Sequence, residues 1–222
     1  MCLSAPVSFA ASAVLFLTGL YSLRIAYQKN PSYIPLACIP IAFAIQQACE
    51  GIVWLGIQGR SPAETNLAAL GFLAFAYWFW LFWSPWAVAQ TECQLTVQWI
   101  CWGAGFVGLI YGALLYLPLT QQPTWLAVRV IHQSIQYETR LIFDPWFSQD
   151  CVRLIYAIII LMPLVLASNP SLKVLGGAVC LSAIVSQWLL DEVFTSFWCF
   201  FAALLSLFIL YICQTTPSQS AS

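Results

Sequence analysis

Apolar residues fill seven segments of the chain, and short polar breaks separate one segment from the next. Most segments approach or exceed the roughly 20 apolar residues that an α-helix needs to cross a bilayer. The breaks are rich in Asn, Pro, Ser and Gly, which interrupt helices. The pattern predicts an all-α integral membrane protein, a bundle of seven transmembrane helices over residues 6–26, 34–57, 65–89, 95–118, 152–168, 172–190 and 194–213.

The longest connection, residues 119–151 between the fourth and fifth helices, is too polar to span a membrane but is rich in aromatic residues. Polar residues at helical spacing favour an interfacial helix: Arg129, Gln133, Gln136 and Arg140. Residues branched at Cβ favour a short β-hairpin equally: Val128, Val130, Ile131 and Ile135. Both interpretations stay open, and long loops of this kind often cover functional sites.

The same pattern predicts one membrane domain, residues 1–213, followed by a polar C-terminal tail, residues 214–222. Arg24 and Lys29 follow the first helix, and basic residues mark the cytoplasmic ends of spans, so the N-terminus is expected outside.

Composition limits the partners of the protein. Of 222 residues, 62% are hydrophobic and 7% are charged, against about 25% charged in a typical soluble domain. The formal net charge is −1 and no basic cluster occurs, which excludes a nucleic-acid partner and leaves the lipid bilayer as the expected environment. The nine cysteines include no Cys-x-x-Cys pair, so a zinc-ribbon framework is not indicated.

The second helix carries polar residues on one of its faces, in the stretch AIQQACEGIVW. Gln46, Gln47, Glu50 and Trp54 share that face by their spacing. A carboxylate at membrane depth costs roughly 2.5–3.5 kcal/mol, so it usually faces the bundle interior and marks a functional site. The glutamines have an equally good structural interpretation, as interhelical hydrogen-bond partners.

The sixth helix repeats this arrangement of an amide and a carboxylate, at Gln187 and Asp191. The order of the helices places these groups, the end of the second helix and the start of the seventh in one half of the membrane, with the N-terminus. We therefore expect one polar ligand-binding site in that half, built from Gln46, Gln47, Glu50, Trp54, Gln187, Asp191 and Trp198. No catalytic group is identifiable from spacing.

His132 is the one histidine, which excludes multi-histidine zinc sites and a haem held by two histidines. A mixed site remains as the metal hypothesis, with Cys2, His132 and Cys199 as ligands. Thiolate and imidazole together suit zinc, copper or a haem iron.

The third helix contains four tryptophans within nine residues, in the stretch AYWFWLFWSPW: Trp78, Trp80, Trp83 and Trp86. An aromatic belt at the membrane interface is one interpretation. A wall for a flat apolar ligand such as a quinone or a tetrapyrrole is the other.

Three motifs in order, MCLSAPVSF, QQACEGIVWLG and SFWCFFAALLS, resemble those of a family of small bacterial multi-pass membrane proteins. The resemblance covers essentially the whole chain and implies a bacterial plasma-membrane location. It supplies no mechanism. The positions that match the family pattern are Cys2, Ser4, Gln47, Glu50, Trp54, Trp198 and Cys199.

Three functions fit these observations. The first is binding of a small ligand, metal or redox cofactor in the N-terminal-side half of the bundle. The second is a small-solute or proton-coupled transporter, in which helices 1–3 and 5–7 form a repeat around helix 4. Asn-Pro-Ser turns at residues 30–32 and 169–171 suggest this repeat. The third is an accessory subunit that binds a membrane-protein partner. Whether the protein is an enzyme stays open.

Overall fold

The computed structural model of the protein describes residues 4–131, 134–189 and 193–218. Within these residues, seven helices are long and apolar enough to cross a membrane, which confirms the predicted fold class and helix count. Their bounds are α1 Ala5–Lys29, α2 Pro31–Gln58, α3 Pro62–Thr91, α4 Leu95–Gln121, α5 Gln149–Leu166, α6 Pro170–Leu189 and α7 Phe194–Thr215.

Large apolar side chains point outward from the bundle, where a membrane protein meets lipid. Leu17, Phe106, Leu154 and Leu181 are each more than 60% exposed. In a soluble protein an apolar surface this continuous would drive association. The surface therefore fits a multi-pass membrane protein.

A β-hairpin lies within the long connection between α4 and α5. Strand β1 Leu126–Ile131 pairs antiparallel with β2 Ser134–Thr139, with Leu126 opposite Thr139. Of the two interpretations that the sequence leaves open, the hairpin is therefore the structure that forms. The strand conformation of β2 buries Ser134, Ile135 and Tyr137 against the bundle.

Two contacts hold the hairpin over one end of the helices. The Tyr137 ring of β2 stacks on Phe72 of α3, with ring centroids 4.8 Å apart. The Tyr77 hydroxyl of α3 lies 2.9 Å from the Thr139 Oγ1, within hydrogen-bond distance. The hairpin is thus a fixed cap on the bundle, and we call this the cap end.

Small residues bring α1 against α2 beside the polar face of α2. The Ser12 hydroxyl donates a 2.7 Å hydrogen bond to the Ala44 carbonyl oxygen. A Cβ placed on Gly51 would lie 2.8 Å from the Phe9 ring, so a larger residue would force this ring to move. Ala44 and Gly51 therefore allow α1 to pack closely on α2.

Glu92 closes the opposite end of the bundle, in the turn between α3 and α4. Its carboxylate accepts hydrogen bonds from the Ser168 backbone N–H at 2.7 Å and from the Ser168 hydroxyl at 2.5 Å. Two N–H groups of its own turn, at Cys93 and Gln94, add bonds of 3.0 Å each. Burial raises the pKa of Glu92, but these hydrogen bonds outweigh it and the net pKa is lowered. The charged carboxylate therefore joins two turns.

The C-terminal end of α7 packs on the bundle. Helix α7 continues to Thr215, and the hydroxyl of the buried Thr216 donates a 2.8 Å hydrogen bond to the Ile212 carbonyl. The Lys29 ammonium donates to the Gln214 carbonyl. The division into a membrane domain, residues 1–213, and a polar tail, residues 214–222, stays a prediction.

Candidate functional site

Glu50 lies fully inside the bundle near the cap end, with 1% of its surface exposed. Its Oε1 accepts a hydrogen bond from the Ser196 hydroxyl, in the first turn of α7. Its Oε2 has no hydrogen-bond partner among the described residues. The carboxyl therefore joins α2 to α7 and keeps hydrogen-bonding capacity unused.

The helical spacing of α2 buries the other polar residues of the same face. Gln46 and Gln47 have no exposed surface, and Trp54 is 8% exposed. Gln46 Oε1 accepts a 2.8 Å hydrogen bond from the Trp80 indole N–H of α3. The Gln47 amide lies beside the Glu50 carboxyl without meeting hydrogen-bond geometry. We call the α2 residues and Ser196 the Glu50 cluster.

Several polar atoms in and near the Glu50 cluster have no partner in the described part of the chain. They are Gln46 Nε2, both amide atoms of Gln47, Glu50 Oε2, Trp54 Nε1, Tyr137 OH and Trp198 Nε1. Leaving a buried polar group unsatisfied costs about 1–3 kcal/mol, so native proteins rarely concentrate such groups. The Glu50 cluster and its neighbours therefore offer unused hydrogen-bond donors and acceptors inside the bundle.

A cavity of about 520 Å³ lies between the hairpin and the bundle, next to the Glu50 cluster. We call it the cap cavity. Its walls come from β1 and β2, the middle of α3, the end of α4 and the starts of α5 and α7. Ser196 lines the cavity and also donates to Glu50, so it connects the cavity with the buried carboxyl.

Two arginines line the cap cavity, Arg140 after β2 and Arg153 in the first turns of α5. Glu138, a further wall residue, forms an ion pair with Arg129, with 3.3 Å between Arg129 Nε and Glu138 Oε2. Arg153 donates a 3.1 Å hydrogen bond to Gln187 Oε1 of α6. The wall thus combines cationic groups with hydrogen-bond donors.

The Arg153 guanidinium is also positioned by two neighbours. It lies 4.9 Å from the centroid of the Phe194 ring, and its Nη1 is 3.6 Å from Asp150 Oδ1. Stacking on an aromatic face suits a guanidinium better than an ammonium, and it orients the plane of the group. A basic residue at the start of a membrane helix is expected at the interface with water. That position alone does not account for the contacts of Arg153.

Three tyrosines line the cavity: Tyr77 of α3, Tyr137 of β2 and Tyr156 of α5. Tyr77 lies in a π-helical turn of α3, Ala74–Phe79, a feature frequent at functional sites. Tyr137 lies on β2. Burial raises the pKa of Tyr137 well above its ordinary value, and the nearby Glu50 carboxyl raises it further. Its phenol therefore stays protonated at neutral pH and offers a hydrogen-bond donor.

The structure distributes the predicted site residues unevenly. The α2 residues form the Glu50 cluster, and Trp198 and Cys199 line the cap cavity. Gln187 does not join the cluster but binds Arg153 at the cavity edge. Cys2, His132 and Asp191 lie outside the described residues.

Of the three predicted metal ligands, Cys199 is the one that the structure describes, and it lies in the cavity wall. Among residues 4–131, 134–189 and 193–218, no group of three or more His, Cys, Asp and Glu residues is close enough to hold a metal ion. A site formed by Cys199 with Cys2 and His132 remains a prediction. Metal content and the visible absorption spectrum of the purified protein test it.

The four tryptophans of α3 have different packing partners. Trp83 and Trp86 contact each other, with ring centroids 4.7 Å apart, and Trp78 stacks on Tyr116 of α4. Trp80 stacks on Phe43, with ring centroids 3.9 Å apart. The Trp83 indole donates to the Pro35 carbonyl at 3.1 Å, and the Trp78 indole donates to the Leu109 carbonyl at 3.2 Å. Three of the four indole N–H groups thus bond within the protein, which favours a packing role.

Comparison with known proteins identifies the family of the chain. The model of a family of unknown function, DUF6629, matches residues 1–222. The chain belongs to DUF6629. The whole-chain match confirms the resemblance to an uncharacterised family. Among curated proteins and among solved structures, nothing matches the chain.

For this DUF6629 protein, the chemistry must therefore be argued from the site itself. Sequence reasoning missed Ser196, Arg153 and Tyr137, which the fold brings to the cap cavity. The signal for Ser196 is its place in the SFWCFF motif beside Trp198. No comparable signal marks Tyr137, because only the hairpin register brings its ring over the bundle.

Proposed function

We propose that the protein binds a small molecule in the cap cavity, with the hydrogen-bonded Ser196 and Glu50 as the polar floor of the site. The observation that carries this proposal is a cavity of about 520 Å³ whose wall residue Ser196 donates a hydrogen bond to a fully buried carboxyl. Small-molecule sites typically enclose about 300–1,000 Å³ and hold few, well-placed polar groups.

Unused hydrogen-bonding groups in the cavity wall support the same function. Tyr137 and Trp198 line the cavity, and the Tyr137 hydroxyl and the Trp198 indole N–H are buried without a partner within the described segments. Both residues are only 8% exposed, so bulk water does not readily satisfy them. A bound ligand with hydrogen-bond acceptors would satisfy both groups and remove the cost of their burial.

The protein's own cysteines test whether the cavity admits small molecules. Cys199 lines the cap cavity, whereas the similarly buried Cys101 and Cys213 do not. Intact protein in lipid nanodiscs is treated with N-ethylmaleimide, and the modification of each cysteine is followed by peptide mass spectrometry. We expect Cys199 to react at least tenfold faster than both controls. Equal rates at the three thiols would contradict an accessible cavity.

Transport is the second candidate, and one arrangement favours it. The cap cavity lies at one end of the bundle, while hydrogen bonds from Ser168 to Glu92 and from Asn169 to Tyr33 close the other end. The Asn169 amide donates to the Tyr33 hydroxyl at 3.2 Å, which joins the two turns with the Asn-Pro-Ser sequence. A carrier with its site open to one side is expected to have such a closed opposite end.

Alternating access requires the closed end to open. Val88 of α3 is buried near that end, with 1% of its surface exposed. In a Val88→Cys protein, a membrane-impermeant thiol reagent added from that side should label position 88 if the protein is a carrier. Complete protection of position 88 over hours would favour a binding protein that opens only at the cap.

A further inference from the structure

A second, apolar cavity of about 70 Å³ lies deeper in the bundle than the cap cavity. We call it the inner cavity. Helices α2, α3, α5, α6 and α7 supply its walls, with Leu36, Phe43, Ile160, Leu164, Val179 and Ile209 among the lining residues. Water needs two to four polar partners to occupy a cavity, and an apolar cavity of this kind does not provide them.

Two polar groups in the inner wall are already bonded to the protein. The Trp80 indole donates to Gln46 at 2.8 Å, and the Ser206 hydroxyl donates to the Ala203 carbonyl at 2.6 Å. The inner cavity therefore suits hydrocarbon and offers these groups to no polar ligand.

The two cavities share three wall residues, Tyr156 of α5 and Trp198 and Cys199 of α7. The Tyr156 and Trp198 rings meet edge to face, with centroids 5.5 Å apart. The unpartnered indole N–H of Trp198 lies at this junction. A polar compartment thus adjoins an apolar one, with a hydrogen-bond donor at their boundary.

We propose that the ligand is a single-chain amphiphile, with a hydrogen-bond-accepting head group in the cap cavity and an apolar tail in the inner cavity. This inference rests on the proposed binding function and specifies the class of its ligand. An accepting head fits donors on the cavity wall: the Tyr137 hydroxyl, the Trp198 indole and the guanidinium groups of Arg140 and Arg153. The tail fits the apolar lining beyond Trp198, where it is removed from water.

Straight-chain carboxylic acids of increasing length test the proposal, since each length carries the same head group. Binding of radiolabelled acids to the protein in nanodiscs is measured at equilibrium, with uptake by protein-free nanodiscs subtracted. Each methylene that enters the inner cavity should tighten binding about fourfold relative to the acid in water, until the cavity is full.

Filling the inner cavity should remove the dependence on chain length and spare the head-group site. Val179→Phe places a ring in the inner cavity, whereas Val174→Phe makes the same change on the 62% exposed surface of α6. Ala202→Leu fills the inner cavity more gently from α7, in case the larger substitution impairs folding. Both filling variants should bind the shortest acid as the unaltered protein does, with no gain from longer tails, and Val174→Phe should match the unaltered protein.

The outcomes separate this inference from the function on which it rests. Two results would overturn the amphiphile proposal and leave the proposed binding function standing. The first is saturable binding that does not depend on chain length in the unaltered protein. The second is a dependence on chain length that is equal in the unaltered protein and in Val179→Phe. Absence of saturable binding at every length, together with protection of Cys199 from N-ethylmaleimide, would overturn both.

Discussion

Replacing Glu50 by methionine should stabilise the protein and abolish ligand binding. A carboxyl at membrane depth costs roughly 2.5–3.5 kcal/mol on insertion scales. Glu50 is 1% exposed, and Ser196 is the donor that the described residues supply to its carboxyl. One interhelical hydrogen bond contributes about 0.6–2 kcal/mol. The substitution should therefore raise the free energy of unfolding by about 0.5–3 kcal/mol, the difference between these terms.

Ser196→Ala should act in the opposite direction, because it removes the donor and leaves the carboxyl buried. We expect a loss of about 1–3 kcal/mol in the free energy of unfolding, the usual cost of an unsatisfied buried group. In the Glu50→Met background the same substitution should be nearly neutral. The double-mutant cycle then isolates a coupling energy between the two side chains of about 1–3 kcal/mol.

Unfolding in mixed micelles of increasing SDS content, followed by tryptophan fluorescence, measures these differences. Ser206→Ala is the matched control, because Ser206 is 2% exposed and its hydroxyl bonds only to its own helix, at the Ala203 carbonyl. The control should change the free energy of unfolding by less than about 0.5 kcal/mol. If Glu50→Met instead destabilises the protein by more than about 1 kcal/mol, Glu50 is a structural residue and our functional argument is wrong.

Further predictions concern the packing, the closed end and the cap. Gly108→Ala should lower the free energy of unfolding by about 1–3 kcal/mol through overpacking, because the new Cβ would lie 2.0 Å from a backbone oxygen of α3. Gly103→Ala is the control, since no atom lies within 4 Å of its new Cβ. This control should be neutral or stabilising in the same SDS titration. The pKa of Glu92 is lowered in the folded protein. The ionised carboxylate therefore stabilises the fold at pH values above the ordinary carboxyl pKa, and this stabilisation is lost as the pH falls through the lowered pKa. Thermal unfolding of Glu92→Gln should therefore show a lower midpoint at neutral pH and a weaker acid dependence; an unchanged acid dependence would refute this. Tyr77→Phe removes a hydrogen bond to the hairpin and should speed amide hydrogen exchange in β2 about fivefold, as expected for loss of about 1 kcal/mol.

The helices and the buried face of α2 were predictable from the sequence because the bilayer imposes strong rules. Long apolar segments gave the seven spans, and the cost of a charge in lipid predicted that Glu50 faces inward. Helical spacing then predicted burial of Gln46 and Gln47 together with it.

The cap and the closed end were not predictable in the same way. Arg129 and Val128 belong to patterns that fit a helix and a strand equally, and only packing on α3 decides between them. Glu92 has the sequence context of an ordinary turn residue. Its role depends on contact with Ser168, 76 positions away in the chain.

The most direct test of a ligand-binding cap cavity is native mass spectrometry of the protein released from nanodiscs. Ala127→Trp fills the cap cavity from β1, and Val130→Trp makes a matched change at a position that is 45% exposed on the same strand and does not line the cavity. We predict a bound small molecule on the unaltered protein and on Val130→Trp, and its loss from Ala127→Trp. Equal occupancy in all three proteins would contradict a binding site in the cap cavity.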